Sequence, residues 1–407
     1  MSMNKPRLLT PGPTMLPEEV RLTLARQMIH HRKSEFVSVM QELQGGLQTL
    51  FATTQQVLPL SCSGTGAMQA AVSSLFSRGE SVLALEAGKF GQRWSKIARS
   101  WGLNVIPLEL EWGQALDADR IAGLLQENPQ ISGLLVQASE TSTGVLHPVH
   151  DLGQICREQD VLLVVDGISA VGISPCPMDR WEIDCLLTGS QKGLMLPPGL
   201  ALISLSPRAQ DKANSIPQEN FYFNLLQELD KANQNQTQFT SAVNLLQGLR
   251  VCLQEYFLPS PERIMLKHWA LCQMTRQGVS ALGLQPLVDE HYTWGLTSVL
   301  LPQEVSGQRL LACAKEEHNV ILAGGQDRLK GRILRIGHMG YVDWGDILAA
   351  LQVIKLALQE QGCTPKKQAP DYLEQASQAY FQAWQNPPDL LQEQGAQNNE
   401  PGTSKKS

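Results

Sequence analysis

The sequence predicts an α/β protein with a mostly parallel sheet flanked by helices on both sides, followed by a smaller α+β domain. Between residues 57 and 205, short apolar runs alternate with segments of helical periodicity. The runs are apolar at nearly every position, which is typical of strands buried on both faces. With 407 residues, 43% of them apolar, the chain can form one large core and a second, smaller one.

The first half of the chain alternates predicted strands with predicted helices, which indicates parallel pairing with helical crossovers. The predicted strands are 57–61, 81–85, 131–137, 161–165, 184–188 and 200–205. The predicted helices among them are 67–76, 92–101 and 149–159.

The second half begins with a helix-rich stretch, 241–282, in which Ser260 is a candidate cap for a helix that starts at Pro261. The α+β pattern that follows has strands 296–301, 320–323 and 333–336 and helices 307–318 and 343–358. We expect the N-terminal segment to complete this small domain. The predicted division is 1–20 for an N-terminal segment, 21–258 for a large domain, 259–362 for a small domain and 363–407 for a polar tail. In the tail, 372–384 is predicted to be a helix and the residues from Pro387 onward disordered.

Composition and charge argue against several classes of protein. The formal net charge of −6 leaves no basic field for nucleic acid. No apolar stretch has the length of a signal peptide or a membrane span, so we expect a cytoplasmic protein. The eight cysteines are spread singly and form no C-x-x-C pair, which disfavours zinc and iron–sulfur sites.

Residues 63–67, Ser-Gly-Thr-Gly-Ala, follow a predicted strand and open a helix. Small residues allow an anion to approach the backbone, and a helix N-terminus offers free N–H groups. The segment therefore predicts a phosphate site, and a plain tight turn is the alternative.

Asp166 ends a buried predicted strand, and Lys192 follows the next one among small and apolar neighbours. Ligands of open α/β sheets bind at this carboxyl edge, which favours a functional acid and a nucleophilic lysine. A helix N-cap is the alternative for Asp166, and a surface lysine is the alternative for Lys192. Together with the anion cradle, these groups are what pyridoxal phosphate requires.

The ordered motifs of this chain resemble those of the class V aminotransferases, in particular the alanine–glyoxylate and serine–pyruvate group. The resemblance runs from about residue 7 to residue 359 and implies a fold-type I transferase with a seven-stranded sheet. The motifs are 11–13 (PGP), 31–32 (HR) with 35–36 (EF), 63–67, 90–94 (FGQRW), 140–145 (ETSTGV), Asp166, 189–193 (GSQKG), 197–199 (PPG) and 334–340 (LRIGHMG).

By this resemblance, Lys192 carries pyridoxal 5'-phosphate as a Schiff base, and Asp166 pairs with the ring nitrogen. The other implied cofactor contacts are Thr65, Gly66, Ala67, Phe90 as a stacked ring, Thr141, Gln191 and, from the neighbouring subunit, Thr240. Arg335 is implied to clamp the substrate carboxylate, with Gly12 also at the substrate, and a structural ion pair is the alternative for Arg335. Thr237 stands where some relatives have tyrosine, so a second phosphate contact across the interface is left open.

The implied reaction moves the amino group of serine or alanine to glyoxylate or pyruvate. Arg335 holds the substrate carboxylate, the freed amine of Lys192 takes the Cα proton, and Asp166, kept ionised, stabilises the protonated ring. We expect a homodimer with its active site at the subunit interface and no metal, nucleic acid or membrane partner. The alternatives are a cysteine desulfurase, an electron-transfer subunit of a soluble hydrogenase and a non-catalytic scaffold of the same fold.

Overall fold

The computed structural model describes residues 5–363 and 369–395, and the strands in these residues form four sheets. In chain order the strands are β1 Arg7–Leu8, β2 Val57–Leu60, β3 Ser81–Glu86, β4 Asn104–Glu109, β5 Ile131–Gln137, β6 Ser139–Glu140, β7 Val145–Leu146, β8 Leu162–Asp166, β9 Cys185–Gly189, β10 Ala201–Leu205, β11 Gln285–Pro286, β12 Leu296–Leu300, β13 Val320–Ile321, β14 Ala323–Gly324 and β15 Ile333–Gly337.

The helices surround these sheets, and in the part of the chain that is described none is long and apolar enough to cross a membrane. In chain order they are α1 Glu18–Leu24, α2 Ser34–Phe51, α3 Gly64–Leu75, α4 Gly91–Trp101, α5 Ala118–Glu127, α6 Leu152–Glu158, α7 Pro207–Ser215, α8 Leu225–Ala232, α9 Val243–Cys252, α10 Pro261–Ala281, α11 Gly307–Glu316, α12 Trp344–Glu360, α13 Tyr372–Gln385 and α14 Gln392–Gly395.

The large sheet has seven strands in the order β2-β10-β9-β8-β5-β3-β4. Its strands are parallel except for β10, which runs antiparallel to both neighbours, so the predicted mostly parallel sheet is confirmed. The sequence analysis missed β4. This strand lies at the sheet edge, where Asn104, Pro107 and Glu109 are exposed, and it therefore lacks the continuous apolar run of a buried strand.

A four-stranded antiparallel sheet in the order β11-β12-β15-β14 lies within the residues predicted to form the small domain. The N-terminal segment joins this part of the chain, as predicted, because β1 pairs in parallel with β13. Leu9 continues the pairing: its N–H donates to Ile321 at 2.9 Å, and its carbonyl accepts from Gly337 at 2.7 Å. These bonds fix the chain immediately before Pro11 and Gly12.

Helix α10 begins as predicted, with Pro261 in its first turn and the Ser260 hydroxyl accepting from the Arg263 N–H at 3.3 Å. This bond satisfies one of the free N–H groups at the helix start. The division of the chain into domains stays a prediction, although its two halves have separate sheets and separate clusters of buried apolar side chains.

The C-terminal segment packs against α10 and α12, so the expected disorder is wrong for part of it. Helix α13 confirms the predicted helix, and Tyr372 and Ala376 are buried in the small-domain core. Disorder from Pro387 is contradicted by Leu391 and Gln394, which are both buried. Gln394 Oε1 accepts from the Cys176 N–H at 3.1 Å, so a polar side chain anchors this segment. The predicted tail beyond residue 395 lies outside the described residues.

Candidate active site

A cavity of about 270 Å³ lies where the carboxyl ends of β8 and β9 meet the N-terminus of α3. This is the edge at which open α/β sheets bind ligands. The lining residues are Gly12, Pro13, Ser63, Gly64, Thr65, Phe90, Arg93, Ser139, Thr141, Asp166, Ile168, Ser169, Gln191, Lys192 and Pro198. The fold therefore brings together seven of the predicted residues, namely Gly12, Thr65, Phe90, Thr141, Asp166, Gln191 and Lys192.

Lys192 follows β9 and is buried, with 8% of its surface exposed, so the alternative of a surface lysine is wrong. Burial lowers the pKa of its amine to about 8, helped by the positive charges of Arg335 and Arg93 and opposed by Asp166. Nζ donates to the carbonyl oxygen of Pro11. A larger fraction of this amine is therefore neutral near pH 7 than for an ordinary lysine.

Asp166 ends β8 and is 4% exposed. Burial raises the pKa of its carboxyl to about 7, and the nearby Glu140 raises it further, whereas Ile168, Arg93 and Lys192 lower it. Oδ1 accepts from the Ile168 N–H at 2.8 Å, but a turn and not a helix follows Asp166, so the alternative of a helix N-cap is wrong. Sequence reasoning expected an ionised Asp166. Its environment opposes ionisation unless a cation lies against it.

The N-terminus of α3 opens onto the cavity through Ser63, Gly64 and Thr65. Gly66 and Ala67 do not line the cavity. Their N–H groups bond the Ser63 carbonyl at 2.8 and 3.3 Å, so their predicted cofactor contacts stay predictions. Gln191 also lines the cavity, and its buried Oε1 has no hydrogen-bond partner in the described chain. An anionic ligand is suited here by the helix N–H groups and by the Gln191 amide nitrogen, which is a donor, whereas the unpaired oxygen can only accept a hydrogen bond.

Glu140, which sequence reasoning gave no role, organises the wall around Phe90 and Thr141. Its buried carboxylate accepts from the N–H groups of Phe90 at 3.1 Å and Gly91 at 3.0 Å. It also accepts from the Ser142 N–H at 3.0 Å, the Ser142 hydroxyl at 2.6 Å and Gln137 Nε2 at 3.2 Å. These bonds join the turn before α4 to the end of β5. The available sequence signal for a role of Glu140 was its position directly before the predicted site residue Thr141, since an acid that is buried there needs hydrogen-bond partners.

Arg335 lies in the middle of β15 and is 7% exposed, beside the cavity rather than among its lining residues. Nε donates to the carbonyl of Gly324 at 2.9 Å, and Nη1 donates to that of Thr141 at 2.8 Å. No carboxylate in the described residues pairs with it, so the alternative of a structural ion pair is wrong. Burial lowers the pKa of the guanidinium, which Glu140 opposes.

Arg93, a residue of the 90–94 motif for which the sequence predicts no chemical role, lines the cavity. It lies in the first turn of α4, three residues after Phe90. Nη1 donates to Thr65 Oγ1 at 2.9 Å, and the guanidinium carbon lies 4.8 Å from the centre of the Phe90 ring. Motif spacing placed Arg93 on the correct helix but gave no indication that it faces Thr65.

Thr240 lies outside this cavity, as a contact with another subunit would require. Its hydroxyl is 3.3 Å from His31 Nε2, and its neighbours include exposed aromatic residues. Thr237 is buried, and its hydroxyl donates to the Phe239 carbonyl at 2.8 Å. The Thr237 carbonyl accepts from Arg32 at 2.7 Å. The roles of Thr240 and Thr237 toward a second subunit stay predictions.

None of the eight cysteines lines the cavity, and none forms a disulfide. Burial raises the pKa of the nearby Cys62 thiol to about 12, so this thiol is a poor nucleophile. In the described residues, the one group of three potential metal ligands is Cys313, Glu317 and His318, at the end of α11. These observations disfavour cysteine desulfurase chemistry and an iron–sulfur electron-transfer role.

The seven-stranded sheet and a cavity with a buried lysine, an acid and a helix N-terminus define a fold-type I aminotransferase. The chain belongs to the class-V aminotransferase family, whose model, described as Aminotransferase class-V, matches residues 10–238.

Similar proteins include one described as a hydrogenase subunit and two glyoxylate aminotransferases with different amino donors in their names. A protein of Synechococcus sp. (strain PCC 6716) described as a soluble hydrogenase small subunit is 36% identical, over 89% of this chain and 95% of its own length. The serine–glyoxylate aminotransferase of Methylorubrum extorquens is 32% identical, over 87% of this chain and 91% of its own. The crystal structure of ureidoglycine–glyoxylate aminotransferase from Bacillus subtilis superposes with a TM-score of 0.88 at 26% identity, covering 94% of this chain and 99% of that one.

Proposed function

We propose that this chain transfers the amino group of a small amino acid, serine or alanine, to a small 2-oxo acid, glyoxylate or pyruvate, using pyridoxal phosphate. The donor leaves as its 2-oxo acid, and the acceptor leaves as an amino acid. The observation that carries the proposal is the meeting of Lys192, Asp166 and the N-terminus of α3 in one cavity. Family membership supports the same reaction class.

The cavity residues fit this cofactor in charge and in space. The amine of Lys192, with its pKa lowered to about 8, suits covalent capture of an aldehyde. Asp166, buried and reluctant to ionise alone, suits a protonated ring nitrogen. The helix N-terminus at Thr65 and the donor nitrogen of the Gln191 amide, both at the cavity, suit a phosphate. Phe90 provides an aromatic wall for the ring.

When bound, pyridoxal phosphate supplies a carbonyl carbon that takes up the amino group and a ring that accepts electron density. Arg335 binds the substrate carboxylate through a planar guanidinium that its bonds to Gly324 and Thr141 hold in place. Lys192 moves a proton at Nζ, which is suited to this task because its pKa lies near neutral pH. Asp166 provides the negative charge that keeps the ring nitrogen of the cofactor protonated.

A half-reaction screen tests this function. The purified chain is loaded with pyridoxal phosphate and mixed with single amino acids while the visible absorbance of the bound cofactor is followed. Serine or alanine is expected to remove the absorbance band, and glyoxylate or pyruvate is expected to restore it. Lys192→Ala should not respond, whereas Lys96→Ala, on the exposed face of α4, should respond like the wild type. A wild-type chain whose bound cofactor responds to no amino acid contradicts the proposal.

The proposed enzyme is a homodimer whose interface includes the segment around Thr240. Phe221 and Tyr222 are 79% and 47% exposed, and Tyr222 stacks on Phe239 with ring centres 5.1 Å apart. Exposed aromatic clusters of this kind mark protein interfaces. Sedimentation equilibrium is expected to give twice the chain mass for the wild type and a weaker dimer for Phe221→Ser. A wild-type monomer at micromolar concentration contradicts this part of the proposal.

A further inference from the structure

One arginine among the cavity-lining residues, Arg93, has no part in the proposed chemistry. Arg93 lines the wall between the Phe90 ring and the N-terminus of α3. In the described residues no carboxylate pairs with its guanidinium, although other arginines of this chain, such as Arg208 with Asp184, do form ion pairs. Asp166 is near enough to be affected by this charge but forms no ion pair with it, so Arg93 keeps hydrogen-bond donors for an anion in the cavity.

The bond between Arg93 and Thr65 leaves the hydrogen of the threonine hydroxyl available to an acceptor other than Arg93. Thr65 Oγ1 accepts from Arg93 Nη1 at 2.9 Å, so the hydroxyl hydrogen has to point to another acceptor. Thr65 is the second residue of α3, where backbone N–H groups also face outward. Guanidinium, hydroxyl and helix N-terminus therefore present donors to the same part of the cavity.

The ring of Phe90 keeps the guanidinium in this position. The carbon of the Arg93 guanidinium lies 4.8 Å from the ring centre, within the range of a cation–π contact. The Phe90 backbone is in turn fixed by Glu140, which accepts from its N–H at 3.1 Å. The positive charge of Arg93 is therefore held in place by the Phe90 ring, whose backbone Glu140 fixes in turn.

We propose that Arg93 completes the phosphate subsite: it neutralises the cofactor phosphate and directs the Thr65 hydroxyl toward it. The inference rests on the proposed function and specifies how this chain recognises the phosphorylated cofactor. An alternative role for Arg93, binding a second carboxylate on a dicarboxylic amino acid, makes a different prediction in the same experiment.

The test compares the affinities of two cofactor forms for the enzyme stripped of cofactor, by titration of protein fluorescence. Pyridoxal phosphate and pyridoxal share the aldehyde and ring, but only the first carries the phosphate. Loss of a charge-assisted hydrogen bond predicts that Arg93→Gln binds pyridoxal phosphate about 10-fold to 100-fold more weakly and pyridoxal within about twofold of wild type. Arg93→Lys, which keeps the charge, should lie between Arg93→Gln and the wild type.

The matched control is Arg99→Gln on the same helix, where the side chain is 53% exposed and lies 3.9 Å from Glu86. It should bind both cofactor forms like the wild type. The inference is overturned if Arg93→Gln loses affinity for both forms equally, or for neither, or if only its KM for a dicarboxylic amino acid rises. A wild-type chain that binds neither form would instead refute the proposed function, so the two failures are distinguishable.

Discussion

Lys192 donates a hydrogen bond from Nζ to the carbonyl oxygen of Pro11, 181 residues earlier in the chain. The N-terminal segment reaches this position because β1 pairs with β13 of the small domain. The amine of Lys192 is therefore enclosed by an N-terminal segment that β13 holds in place. Because Gly12 follows Pro11 and lies against the Lys192 side chain, a larger residue at position 12 would contact that side chain.

Gly12→Ala is expected to weaken cofactor capture. Gly12 has a φ of +93°, and a Cβ there would lie 2.7 Å from Lys192 Nζ. The backbone strain alone costs about 1–2 kcal/mol in the free energy of unfolding. Gly331→Ala is the control, because its φ is +74° and a Cβ there meets nothing within 4 Å. Thermal unfolding should show comparable strain in both variants, and absorbance titration should show weaker cofactor binding in Gly12→Ala alone. Equal cofactor binding by the two variants would contradict the contact.

The rate at which the stripped enzyme captures pyridoxal phosphate is expected to rise with pH, to reach half its maximum near pH 8, and to level off about one pH unit higher. Burial lowers the pKa of Lys192 from 10.5 to about 8, and only the neutral amine attacks an aldehyde. Asp166→Asn should move the midpoint to lower pH, since the charge of Asp166 raises this pKa. Asp160→Asn, 99% exposed, should leave it unchanged. Stopped-flow absorbance measures the rate, and a rise that continues to pH 10 would show an ordinary lysine.

Arg335→Lys is expected to lower kcat/KM for the amino donor by about 10-fold to 100-fold, the value of a lost charge-assisted hydrogen bond. A lysine cannot hold a carboxylate with two parallel bonds while also donating to Gly324 and Thr141. Steady-state kinetics with serine and alanine give the ratio. Arg332→Lys, exposed near the start of β15, serves as the control. Similar kinetics for Arg335→Lys and wild type would remove Arg335 from the substrate site.

Glu140→Gln is expected to lower the free energy of unfolding by about 1–3 kcal/mol. In the wild type, N–H groups such as those of Phe90 and Ser142 donate to the carboxylate, and in the variant some of these donors would face the N–H₂ group of the new amide. If Glu140 also orients Phe90, the visible circular dichroism of the bound cofactor should change. Urea unfolding and the dichroism spectrum check the two effects. Glu109→Gln, exposed on the edge strand, should alter neither. An unchanged unfolding free energy for Glu140→Gln would show that these bonds add no stability.

The large sheet and its polar edge were predictable from residues alone because buried parallel strands give continuous apolar runs. Asp166 and Lys192 follow such runs directly, so their meeting at one edge follows from strand direction. The edge strand β4 was not predicted from the sequence because polar residues stand on its exposed face and interrupt the apolar run. The packing of segment 389–395 was not predicted because its buried residues, Leu391 and Gln394, stand singly in a polar sequence.

Contacts across long sequence separations were not predictable from residue patterns. Arg335 was expected at the substrate only through the family resemblance, and its hold on the Thr141 carbonyl depends on packing between two domains. Arg93 and Glu140 lie within or beside recognised motifs, yet their partners are set by side-chain direction. Spacing along a helix or strand gives the position of a residue but not the side chain that it meets.

The most direct measurement is the identification of the lysine that binds the cofactor. The purified chain is incubated with pyridoxal phosphate, reduced with borohydride, digested and analysed by mass spectrometry. We expect the phosphopyridoxyl label on the peptide that contains Lys192, and no label at that position in Lys192→Ala. A stoichiometric label on another lysine, or none on the wild-type chain, would contradict it.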